Sequence, residues 1–86
     1  MNRYMIESPH APEECQKIIQ EFSAAGYLHY FEWGCHDGDH TGWAIVETDD
    51  HEHARQIVPW VVRSKARIVK LEKFKKVDPL HPQKQL

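Results

Sequence analysis

The sequence predicts an α+β domain: one antiparallel sheet of four strands, with two helices on one face. Three observations predict it. Apolar residues alternate with a period of two in four short segments and recur at i, i+3, i+4 and i+7 in two others. The order is β-α-β-β-α-β, so two similar halves meet at a polar, glycine-containing hairpin over residues 35–41. The chain of 86 residues has room for one domain, and no apolar run approaches the roughly 18 residues that cross a bilayer.

Arg3 to Ser8 (RYMIES) is the first strand. Pro12 suits the first turn of a helix, and Glu13 and Glu14 suit its positive end. Cys15, Ile18, Ile19 and Phe22 form the apolar stripe of that helix, and Gly26 ends it. Cys15 therefore reads as a small core residue. Leu28 to Gly34 (LHYFEWG) is aromatic and β-prone, the second strand. Gly42 to Thr48 (GWAIVET) is the third.

Asp49 with Glu52 has capping-box spacing at the start of the second helix. Its stripe is Ala54, Ile57, Val58 and Val61, and Pro59 should kink or shorten it. Ala66 to Phe74 (ARIVKLEKF) is the fourth strand. Residues 1–75 make the domain, and residues 76–86, with Pro79 and Pro82, an extended tail.

Charge is divided along the chain. Residues 1–54 hold two basic residues, Arg3 and Lys17, against eleven acids; residues 55–86 hold nine basic residues against Glu72 and Asp78. Such halves neutralise one another within a fold or across a dimer. The N-terminus lacks the apolar segment of a secretory signal, and two cysteines make no disulfide framework. The expectation is a cytoplasmic protein with free thiols.

Alternation sorts the sheet faces. Tyr4, Ile6, Ala44, Val46, Val69 and Leu71 should face the helices. Met5, Glu7, Trp43, Ile45, Glu47, Ile68, Lys70 and Glu72 should share the open face. That face is half apolar, as an interface or ligand surface would be. It predicts a homodimer with open faces together and a small-molecule cleft lined by Met5, Trp43 and Ile45.

The segment Trp43-Ala44-Ile45-Val46-Glu47-Thr48-Asp49-Asp50, with the strand order, resembles small uncharacterised proteins of the dimeric α/β-barrel superfamily, whose fold is ferredoxin-like. The resemblance implies a dimer. It does not choose among the superfamily's muconolactone isomerase-like enzymes, small monooxygenases, chlorite dismutase-like haem proteins and small nickel-binding proteins. Gly42-Trp43-Ala44-Ile45-Val46 partly resembles the RNP1 pattern of RNA-binding sheets. Thr41 replaces its basic residue, and Asp37 and Asp39 would repel phosphate, which argues against nucleic acid.

Three constellations could carry chemistry. Cys35, His36, Asp39 and His40 offer sulfur, imidazole and carboxylate ligands for a divalent metal, nickel or zinc, around a turn at Gly38. Glu7 and Glu47, placed at corresponding ends of adjacent strands taken as parallel, would share a proton, with His10 beside them. Arg55, Arg63, Lys65 and Arg67 form a basic run that could hold an anion.

The function expected first is a homodimeric domain that binds a small ligand or divalent metal. The alternatives are a small enzyme, an isomerase or cofactor-free oxygenase using Glu7, Glu47 and His10, and an interaction domain with no ligand.

Overall fold

The computed structural model describes residues 1–75; the expected tail lies outside them. Strand β1 spans Asn2–Pro9, β2 Glu32–Trp33, β3 Thr41–Thr48 and β4 Arg67–Leu71. Helix α1 spans Cys15–Ala24 and follows a 3-10 turn at Pro12–Glu14. The second helix is broken into α2, His51–Arg55, and α3, Trp60–Arg63. The sheet order is β2-β3-β1-β4, and every neighbouring pair is antiparallel.

The core lies on one face of this sheet. Tyr4, Ile6, Ala44 and Val46 project from β1 and β3 into a cluster with Ile18 and Phe22 of α1, Ala54 of α2 and Val62 of α3. Phe22 and Ile6 are wholly buried, each contributing about 1.5–3 kcal/mol by its removal from water. Phe22 stands edge-on to Phe31 at 4.8 Å and to Trp33 at 4.9 Å, an aromatic knot under β2.

Local chemistry explains where the elements end. Gly26 closes α1 at φ +86°, a conformation that favours glycine. Asp50, not Asp49, caps α2: its carboxylate accepts from the His53 backbone N–H at 2.9 Å and meets His53 Nδ1 at 2.7 Å. Pro59 ends the first piece, and the restarted helix turns Val62 inward while Val61 stays 48% exposed.

The aromatic second strand is mostly a turn. Leu28–Tyr30 form a 3-10 turn, with Phe31 N–H donating to the Leu28 carbonyl at 3.1 Å, and only two residues pair with β3. Burial of Phe31 on the Phe22 ring outweighs the β preference of its neighbours.

Strand β4 has the opposite phase to the expected one. Ile6 pairs with Ile68 and Tyr4 with Lys70, while Met5 pairs with Val69 and Arg3 with Leu71. Directly opposed residues share a face, so Ile68 and Lys70 lie on the helix face and Val69 and Leu71 on the open one. Apolar residues at 68, 69 and 71 give no clean alternation, and the register decides.

Candidate metal centre

The β1 end, the start of α1 and the β2–β3 connection converge at one corner of the sheet. The His10 backbone N–H donates to the His40 carbonyl at 2.9 Å, which ties the end of β1 to the hairpin. The hairpin turns sharply: residues Cys35–Asp37 form a 3-10 turn, and Gly38 follows at φ +88°. Trp33 lies across Gly42, where an added Cβ would stand 2.6 Å from the indole ring. Only a glycine there lets the ring lie flat beside the corner.

Four side chains meet at this corner. One ligand atom each from His10, Cys15, Cys35 and His40 lies within 4.8 Å of all the others. Cys15 donates its S–H to Cys35 Sγ at 3.3 Å, and Cys35 Sγ stands 3.6 Å from His10 Nε2. The His10 and His40 rings meet edge to face at 5.6 Å. His10 is buried and also touches the Trp33 ring at 5.9 Å; the other three are half-buried.

The donor set fits a tetrahedral ion. Zinc bound at about 2.3 Å to sulfur and about 2.05 Å to nitrogen puts two sulfurs about 3.8 Å apart and a sulfur and a nitrogen about 3.6 Å apart. The thiols need to separate by about half an ångström for that geometry, and the sulfur–nitrogen distance already matches it. Two thiolates would neutralise a divalent cation, so the filled site would carry no net charge into its half-buried corner. The Nδ1 atoms of His10 and His40 are buried without a hydrogen-bond partner, an unusual state for a polar group.

The corner also biases its own protonation. Burial, then the neighbouring His40, lowers the His10 pKa, and Glu14 opposes this. Burial, then the Cys15 thiol beside it, pushes Cys35 up to about 11. The metal-free corner therefore holds a neutral His10 imidazole beside a protonated Cys35 thiol at neutral pH.

Of the residues expected at a metal site, Cys35 and His40 lie in this cluster. His36 is exposed, and the Asp39 carboxylate instead accepts from Thr41 Oγ1 at 2.7 Å. By sequence, Cys15 belongs to the core because it begins an apolar stripe, and His10 to acid–base chemistry because it follows a strand; the structure places both in the cluster. No standard ligand spacing marks either: His10 and Cys15 are five residues apart, as are Cys35 and His40, and neither interval is a zinc motif.

The carboxylates are not brought together. Strands β1 and β3 run antiparallel, not parallel, with Glu7 opposite Trp43 and Glu47 opposite Arg3. Four residues of strand separate the two glutamates, about 13 Å at 3.3 Å per residue. Glu7 accepts instead from Arg67 Nε at 2.9 Å. Other basic side chains bind backbone: Arg55 reaches the Arg63 and Ala66 carbonyls, and Arg63 the Val58 carbonyl at 2.8 Å. Met5, Trp43 and Ile45 do line one cavity of about 410 Å³ on the open face, with Tyr30 and Glu32.

Compared with protein-family models, curated proteins and solved structures, the chain gives no match, so the class of this corner rests on its own residues. No helix among the described residues is long and apolar enough to cross a membrane.

Proposed function

We propose that this is a small metal-binding domain whose divalent ion, zinc by preference, is held by His10, Cys15, Cys35 and His40. The convergence of these four ligand atoms within 4.8 Å carries the reading. Two sulfurs and two nitrogens suit tetrahedral zinc, and four protein ligands leave no open position for a substrate. The role is thus structural: the ion staples the end of β1 and the start of α1 to the β2–β3 hairpin. A chain of 86 residues has a thin core, and a metal staple is one way such domains gain stability.

The test is calorimetric titration of the reduced, metal-free chain with zinc. One ion per chain with submicromolar affinity supports the reading; no heat and no thermal stabilisation would overturn it.

A second element of the reading is self-association of a ferredoxin-like fold through the open face. The strand order β2-β3-β1-β4 supports the fold assignment. Ile45 is 50% exposed at the centre of a face shared with Met5, Trp43, Val69 and Leu71, which favours a second copy as the cover.

A further inference from the structure

Cys15 and Cys35 are placed to react with one another as well as to hold an ion. We propose that they are an oxidisable dithiol whose closure to a disulfide expels the metal, making this corner a peroxide-sensitive site; the proposal rests on the metal reading above. Three observations support it. The sulfurs are 3.3 Å apart, so a bond of about 2.05 Å needs an approach of only about 1.3 Å. Both residues are half-buried, so a small oxidant can reach them. Cys35 sits in a short turn between Gly34 and Gly38, and Cys15 is the first residue of α1, so neither sulfur hangs from the middle of a rigid element.

The oxidant is hydrogen peroxide, and the step balances. One thiolate attacks a peroxide oxygen: an S–O bond forms, the O–O bond breaks and hydroxide leaves. The second thiolate attacks that sulfur: an S–S bond forms, the S–O bond breaks and a second hydroxide leaves. The two sulfurs give two electrons to the peroxide, and two solvent protons convert the hydroxides to water. The divalent ion leaves with its charge unchanged, because a disulfide no longer supplies anionic ligands and two imidazoles alone hold it weakly. A thiol reductant reverses the closure.

The experiment uses the full chain, reduced and loaded with zinc, treated with hydrogen peroxide. Released zinc is read with a chromophoric chelator, and the protein by intact mass and peptide mapping. The expected result is one zinc released per chain and a mass lower by two hydrogens. A cross-linked peptide should join Cys15 to Cys35, and a thiol reductant should restore zinc binding. Retention of zinc with the thiols intact would overturn the proposal, as would masses raised by oxygen atoms or a bond between two chains. A reduced chain that takes up no zinc before peroxide is added overturns the metal reading itself, which separates the two failures.

Discussion

Cys35 Sγ stands 3.6 Å from His10 Nε2, across twenty-five residues of sequence. This contact joins the hairpin to the end of β1 and separates the clustered ligand set from the hairpin residues that sequence spacing alone suggests. Replacing His10 or Cys15 by alanine should weaken zinc binding by more than the roughly 10–100-fold that losing an outer-shell partner costs. Replacing His36 or Asp39 should leave affinity within a few-fold. Competition against a chelator of known affinity measures both. Equal losses from His10→Ala and His36→Ala would contradict the assignment.

Zinc binding must displace the Cys35 proton, because burial and Cys15 hold that thiol near 11 in the metal-free chain. Affinity should therefore rise with pH across the neutral range, and the apparent enthalpy should differ between buffers of different ionisation heat. The sign for the metal-free fold is opposite. A raised folded pKa contributes stability that is complete below the unfolded value, about 8.5, and is lost as pH rises towards 11. Urea melts of metal-free chain from pH 7 to pH 10 should show falling midpoints.

The α2 cap titrates at both ends. The His53 backbone and ring bonds lower Asp50, and Asp50 raises His53. Asp50 contributes above its unfolded pKa of about 3.9, and this is lost as pH falls through the lower folded value. His53 contributes below its unfolded pKa of about 6.5, and this is lost as pH rises through the higher folded value. The pair should help most between about pH 4 and 6.5. Asp50→Ala should lower the melting temperature more at pH 5.5 than at pH 8.

Gly42 is fixed by the Trp33 ring 2.6 Å from where a Cβ would lie. Gly42→Val should cost about 1–3 kcal/mol through overpacking and shift Trp33 fluorescence. Since Trp33 touches His10, zinc affinity should fall with it. Denaturant titration with and without zinc reads both effects.

The open face supplies a prediction for assembly. Sedimentation at micromolar concentration should give about twice the 10.2 kDa mass of one chain. Trp43→Glu should give monomer or aggregate. A monodisperse wild-type monomer would remove the self-association.

Much of the architecture is legible in the sequence where local chemistry and burial agree. Tyr4, Ile6, Ala44 and Val46 alternate cleanly and are buried as alternation requires. Elsewhere non-local packing decides. Phe31 is drawn onto Phe22 and converts most of an aromatic strand into a turn. The β1–β4 register inverts the faces of Val69 and Ile68. The candidate metal corner is half legible: Cys35 and His40 share the hairpin, whereas His10 and Cys15 join them only through the return of the chain along the sheet. A cysteine at the head of an apolar stripe gives no sign of facing sideways towards another thiol.

X-ray absorption at the zinc edge, on the reduced and zinc-loaded chain, tests the central claim most directly. The account predicts two sulfurs at about 2.3 Å and two nitrogens at about 2.0–2.1 Å, with imidazole back-scattering. A shell of oxygen and nitrogen alone, without sulfur, would contradict it.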